Sequence, residues 1–96
     1  MQFSPELRDD LASGHITVSF RLWTRPKVRV GGRYTAHGTR IEVDDVELMP
    51  FAGVTAADVR RAGERNLEAL RARAAHAGPI ENDTLVYRIE FHVVDD

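Results

Sequence analysis

The sequence predicts a small α+β domain whose mixed sheet curves around one hydrophobic core. Strict alternation of apolar and polar residues over 15–23 and 84–94 indicates two half-buried strands. A third predicted strand, residues 39–48, changes the phase of its apolar residues between Asp44 and Asp45, which is typical of a β-bulge. Because bulged strands bend, we expect the sheet to approach a closed barrel.

The turns and helices follow from local signals. Ser4 and Pro5 are suited to begin a short helix that Gly14 ends. Thr55 and Asp58 have the spacing of a capping box for a second helix. Asn66 is suited to cap a third helix, whose apolar face is Leu67, Leu70, Ala74 and Ala77, with His76 in its last turn.

Between the first and third strands the chain is expected to turn twice. Val28 and Val30 indicate a short extended stretch, and Gly31-Gly32 a turn into a second strand over 33–36. His37-Gly38 indicates the next turn.

Length and composition exclude several classes of protein. The 96 residues, 43% apolar and 29% charged, suit one soluble domain spanning residues 1–96. No apolar run reaches the roughly 20 residues that a membrane helix needs, and the first residues lack the pattern of a signal peptide. The lack of cysteine excludes disulfides and thiol chemistry. We therefore expect a cytoplasmic protein without membrane contact, as a monomer or weak homodimer.

The polar face of the first strand is the predicted binding surface. It presents Ser19, Arg21 and Trp23 in a row, and Arg25, Lys27 and Arg33 follow closely enough to form a basic rim. No acid interrupts the chain between Arg21 and Arg33, although the whole chain has a net charge of −2. This pattern favours a local anion site, with a solvated strand and loop as the plainer interpretation.

Plainer interpretations also exist for individual residues. Arg21 could form an internal ion pair with Glu90 or Glu64, and Trp23 could close the end of the barrel. A catalytic group of Ser19, His92 and Glu90 is conceivable if the strands pair in a suitable register. The four histidines show no short spacing typical of metal ligands, so no metal site and no cofactor is predicted.

Several stretches resemble the ASCH domain family, a branch of the PUA-like pseudo-barrels. The segment from Gly14 to Arg21 is similar to its signature of glycine, any, lysine, any, any, threonine, any, arginine. Residues 30–34, the helix-glycine-helix pattern around Gly63 and residues 86–91 resemble the family's second-strand turn, helix pair and closing strand, in the same order. The resemblance implies a PUA-like fold and a role in RNA binding.

Some ASCH relatives hydrolyse the amide of acetylcytidine with a lysine, a threonine and a glutamate. At the matching positions this chain has Ile16, Ser19 and either Ala62 or Glu64. An isoleucine cannot act as nucleophile, base or electrostatic partner. We therefore predict an RNA- or nucleotide-binding domain. The alternative is a small hydrolase of a modified nucleoside or of single-stranded RNA that uses Ser19 and Glu64, and a domain that acts through protein partners is a third class.

Overall fold

The computed structural model describes residues 2–75 and 78–94. Within these ranges the elements are a 3-10 turn at Pro5–Leu7, α1 at Arg8–Ala12, β1 at Val18–Arg21, β2 at Arg33–Ala36, β3 at Thr39–Pro50, a 3-10 turn at Phe51–Gly53, α2 at Ala56–Arg61, α3 at Leu67–Ala74 and β4 at Leu85–Val93. In this part of the chain no helix combines the length and apolar character needed to cross a membrane.

The four strands form one curled sheet in the order β1-β4-β3-β2, which makes a half-barrel. All three strand pairs are antiparallel, so the sheet is antiparallel rather than mixed as predicted. The predicted bulge is confirmed, because the register with β4 shifts between Val43 and Asp45 and leaves Asp44 as the extra residue. The turn before β3 is confirmed by positive φ angles of 50° at His37 and 79° at Gly38.

Hydrophobic side chains pack on both faces of the sheet, whereas the sequence predicted one core. On one face Val18, Phe20 and Val86 pack against α2 and α3. On the other face Ile89 and Phe91 join a second cluster with residues of α1 and β3. Alternation along β4 therefore separates two buried faces rather than a buried face from a solvated one.

Strand β1 is shorter than the predicted strand over 15–23. Its first flanking residue, Thr17, donates its backbone N–H to Arg61 O at the end of α2 at 2.9 Å, while its carbonyl accepts from Phe91 N of β4, also at 2.9 Å. Trp23 lies in the loop that follows β1. The stretch around Val28 and Val30 is also irregular, and β3 continues two residues beyond the predicted end to Pro50.

The helix signals are largely confirmed. Thr55 and Asp58 form both hydrogen bonds of the capping box of α2, and the Asn66 side chain accepts from Ala69 N at 2.8 Å at the start of α3. Ser4 makes no side-chain capping bond, because the chain begins with a 3-10 turn. Leu67 is 38% exposed and so does not belong to the buried face of α3. His76 and Ala77, for which the sequence also predicted helical positions, lie outside the described residues.

Candidate functional site

A cleft of about 530 Å³ lies between the N-terminal segment, β1 and the α2–α3 region, and we call it the Arg21 cleft. Its charged and hydroxyl-bearing lining includes Ser19 and Arg21 of β1, Lys27 of the next loop, Glu64 of the α2–α3 loop and Arg73 of α3. This volume lies within the range of about 300–1,000 Å³ that holds small-molecule ligands. Residues that are distant in sequence thus converge on one concave surface.

Arg21 is held on the wall of the cleft by Ser19 and Phe3. Its Nε donates to Ser19 Oγ at 2.8 Å, and its Cζ lies 4.9 Å from the centre of the Phe3 ring. A guanidinium has five N–H donors, so four remain on the two terminal nitrogens. Among residues 2–75 and 78–94, no carboxylate forms an ion pair with Arg21.

Burial lowers the pKa of the Arg21 guanidinium to about 10, because removal from water disfavours the charged form. Within residues 2–75 and 78–94, no neighbouring carboxylate offsets this effect. An anion placed against the terminal nitrogens would supply the missing counter-charge, and a planar guanidinium suits the paired oxygens of a phosphate or carboxylate.

The two carboxylates considered as ion-pair partners of Arg21 are engaged elsewhere. Glu90 Oε1 lies 3.0 Å from Arg61 Nη2 and 3.2 Å from Arg88 Nη1. Glu90 lies opposite Val18, whereas Arg21 lies opposite Tyr87, so their side chains leave opposite faces of the sheet. Glu64 is bound to Arg73, so among the described residues the interpretation of Arg21 as one half of an internal ion pair with Glu90 or Glu64 is wrong.

Glu64 belongs to the cleft, but its charge is balanced by Arg73. Arg73 donates from Nε to Glu64 Oε2, and the Glu64 side chain is only 6% exposed. Arg73 Nη2 also lies 2.7 Å from Glu6 Oε1. Hydrogen bonding to Glu64 is the largest cause that raises the pKa of Arg73. This three-residue group fixes the N-terminal segment to α3.

Trp23 is half-buried and contacts both the core and the cleft. Its ring centre lies 6.2 Å from that of Tyr87, and the side chain lines the Arg21 cleft. Lys27 Nζ lies 5.9 Å from the indole centre, and the Arg21 Cζ lies 6.0 Å from it. The indole therefore packs against the hydrophobic core and lines the cleft at the same time.

The predicted basic rim is only partly assembled. Lys27 lines the cleft, but Arg25 is exposed and does not line it. Arg33 lies on β2, and its Nε donates to Glu42 Oε1 at 2.9 Å. Neither arginine lines the cleft, because closeness along the chain does not determine the direction of the loop after β1.

The positions implied by the hydrolase resemblance are also separated. Ile16 is 1% exposed and packs in the core, outside the lining of the cleft, whereas Ala62 and Glu64 both line it. Ser19 Oγ already accepts a hydrogen bond from a cation, Arg21. In the described ranges no histidine or carboxylate is hydrogen-bonded to Ser19, so the geometry shows no base that would activate this hydroxyl.

Ser19, His92 and Glu90 do not form the catalytic group considered from the sequence. Ser19 lies opposite Ile89 across the β1–β4 pair, which places it on the other sheet face from Glu90 and His92. His92 instead lies beside β3, where its Nδ1 is 2.9 Å from both carboxylate oxygens of Asp44.

Glu42, Asp44 and His92 bring three possible metal-ligating atoms within 4.8 Å of one another. They meet because Glu42 pairs with His92 across β3 and β4, and because the bulge lies at Asp44, which sequence spacing of histidines could not reveal. Each side chain already has a protein partner, since Glu42 accepts from Arg33 and His92 contacts Asp44.

Phe3 and Arg73 are the lining residues that sequence reasoning missed. Phe3 precedes the predicted first helix, and its ring packs at 5.8 Å from Phe91 while contacting Arg21. Arg73 lies in the last turn of α3, where its charge is favourable for the helix whatever else it contacts. Neither residue stands out by spacing, because each contributes through a contact with a distant part of the chain.

A second hollow of about 930 Å³ shares Phe3, Arg21, Glu64 and Arg73 with the cleft. It adds two carboxylates, Glu6 and Asp10, and one cation, Arg65. Three cations and three carboxylates therefore line it, and its formal charge is balanced.

The described fold is similar to solved structures of ASCH type. A protein of Enterococcus faecalis described by the family model DUF984 superposes with a TM-score of 0.72 at 19% identity, covering 94% of this chain and 68% of the other. An ASCH domain of Lactobacillus crispatus superposes with a TM-score of 0.70 at 20% identity, covering 88% and 68%. No protein-family model matches the sequence, and no curated protein matches it. The chain therefore has the ASCH-like, PUA-like fold that the sequence resemblance predicted.

Proposed function

We propose that this single domain, residues 1–96, is a cytoplasmic binding module that takes an RNA or nucleotide-like ligand in the Arg21 cleft. The observation that carries the proposal is Arg21: a largely buried guanidinium on the wall of a cleft, with free donors and no carboxylate partner in the described chain. An anionic group of the ligand would bind these donors.

Trp23 and Lys27 support a nucleotide rather than a simple anion. An indole at the side of the cleft offers a stacking surface for a base, and such stacking contributes about 1–3 kcal/mol per base in single-strand binding proteins. Lys27 adds a second cation about as close to the indole as Arg21 is. The cleft thus combines a phosphate-binding charge with a surface for a flat ring.

Binding is favoured over the alternative hydrolase. The hydrolase alternative still requires a test, because Ser19 and Glu64 both line the cleft. The charge of Glu64 is neutralised by Arg73, Ser19 is bonded to Arg21, and the lysine position holds buried Ile16.

The test is a titration of the full chain with short single-stranded RNAs and nucleotides, followed by the fluorescence of Trp23, the only tryptophan. We expect saturable quenching that weakens as salt rises, with no product formed. Arg21→Met should abolish saturation, whereas Arg60→Met should not, because Arg60 is exposed on α2 and lines neither hollow.

Two outcomes would contradict the proposal. Equal affinity of the wild type and Arg21→Met would exclude Arg21 as the anion site. Turnover of acetylcytidine or of RNA in the same mixtures would favour the hydrolase, and its loss in Ser19→Ala would then identify the hydroxyl that the reaction uses.

A further inference from the structure

Two cations of the Arg21 cleft have charges that no carboxylate offsets within the described ranges. Arg21 and Lys27 form no ion pair there, whereas Arg73 is bound to both Glu64 and Glu6. Both uncompensated cations lie about 6 Å from the centre of the Trp23 indole. The cleft therefore has a surplus of two positive charges around one stacking surface, in a chain whose net charge is −2.

The carboxylates of the second hollow would repel a polyanion that extended past Arg21. Glu6 and Asp10 belong to its lining, and Glu64 stands in the wall that it shares with the cleft. A strand continued in that direction would place its next phosphate among carboxylates, where like charges repel. The surplus of positive charge thus ends at the shared wall of Arg21, Glu64 and Arg73.

We propose that the Arg21 cleft recognises the terminal phosphate monoester of a single nucleotide rather than the internal phosphodiester of a continuous strand. This inference rests on the proposed function. A phosphate monoester carries close to two negative charges at neutral pH and three strong acceptor oxygens, which matches two uncompensated cations and the four remaining Arg21 donors. An internal diester carries one negative charge.

The same chemistry occurs in a free mononucleotide and in the phosphorylated end of an RNA strand. In the second case only the terminal nucleotide would occupy the cleft, and the strand would leave on the side of Lys27, which lines the cleft but not the second hollow with its carboxylates. The two sources are distinguished by comparing the free nucleotide with a strand that ends in it.

The experiment compares four probes by Trp23 fluorescence: adenosine 5′-monophosphate, adenosine, and one short single-stranded RNA with either a 5′-phosphate or a 5′-hydroxyl. We expect each phosphorylated probe to bind at least about tenfold more tightly than its unphosphorylated counterpart, as hydrogen bonds to a charged group imply. Lys27→Gln should reduce this preference. Arg29→Gln is the matched control, because it removes the same charge from the same loop at an exposed residue outside the cleft.

The pH gives a second readout. The second ionisation of a phosphate monoester has a pKa of about 6. The preference for the phosphorylated probes should therefore shrink between pH 7.5 and pH 5.5, while the affinity of the 5′-hydroxyl RNA changes little.

The outcomes separate this inference from the proposed function. Equal affinity of the 5′-phosphate and 5′-hydroxyl RNAs, both lost in Arg21→Met, would overturn the inference and leave RNA binding in place. Binding of phosphorylated RNA without binding of the free nucleotide would identify a strand end as the ligand. Failure of all four probes would overturn both.

Discussion

Replacement of Arg21 by methionine is expected to remove ligand binding while leaving the free protein about as stable as before. Burial lowers the pKa of Arg21 from the ordinary value of an arginine to about 10. At about 1.36 kcal/mol per pKa unit, holding the charged form in the cleft costs about 3 kcal/mol. Methionine keeps an aliphatic chain beside Phe3 but carries no charge.

The substitution also removes favourable contacts of similar total size. The hydrogen bond from Arg21 to Ser19 is worth about 1.5–3 kcal/mol, and the contact with the Phe3 ring about 0.5–1 kcal/mol. The free energy lost with these contacts nearly cancels the free energy gained by removing the buried charge. We expect the free energy of unfolding to change by no more than about 1 kcal/mol, which shifts Tm by less than about 8 °C in a domain of this size.

The assay is thermal unfolding of the wild type and Arg21→Met at pH 7, with and without the ligand identified by titration. The ligand should raise the Tm of the wild type only, since it stabilises the folded state to which it binds. Removal of one partner of a buried ion pair typically costs about 3–5 kcal/mol. A loss of that size in Arg21→Met would refute the reasoning, because it would give Arg21 a structural charge partner.

Three further substitutions test the packing around the site. Asp58→Asn should destabilise the fold by about 1.5–3 kcal/mol at pH 7, because it removes the charge that Arg88 contacts at 3.0 Å and leaves Arg88 paired only with Glu90 at 3.2 Å; urea unfolding should show the difference shrinking below pH 4. Although burial alone raises the pKa of Asp58, hydrogen bonds from Thr55 and Arg88 lower it overall, so its stabilisation is present above the unfolded pKa and is lost as the pH falls. Gly63→Ala should cost more than Gly38→Ala in the same assay, because both residues have φ near +78° but only a Cβ at 63 would come within 2.8 Å of Ile16. Ile16→Lys should prevent stable folding, as judged by circular dichroism, rather than restore a hydrolase, and a folded, active variant would contradict this.

The parts of the fold that local chemistry determines were predicted well. The capping box at Thr55, the left-handed glycines and the bulge at Asp44 each follow from a few neighbouring residues, and each is present. The prediction of one buried face was wrong for β4, because alternation identifies two faces without saying what covers either. Residues of α1, which is distant from β4 in the sequence, cover the second face.

Only the part of the candidate site that lies on β1 could be predicted from the sequence. Ser19 and Arg21 share a strand face, so their proximity followed from a period of two residues. Arg33 does not line the cleft, because a loop of irregular geometry separates it from β1. The contribution of Phe3 depends on its packing against Phe91, 88 positions later in the chain, which no local pattern encodes.

The strand order also determines which backbone amides should exchange slowly with solvent. β4 lies between β1 and β3, so its peptide groups over residues 87–90 are paired on both edges and are released only when the sheet opens as a whole. Beyond Val43, the outer edge of β3 has no strand partner in the part of the chain that the structure describes. Hydrogen exchange should therefore be slowest along β4 and faster in the second half of β3, so that the strand nearest the middle of the sheet reports the global free energy of unfolding.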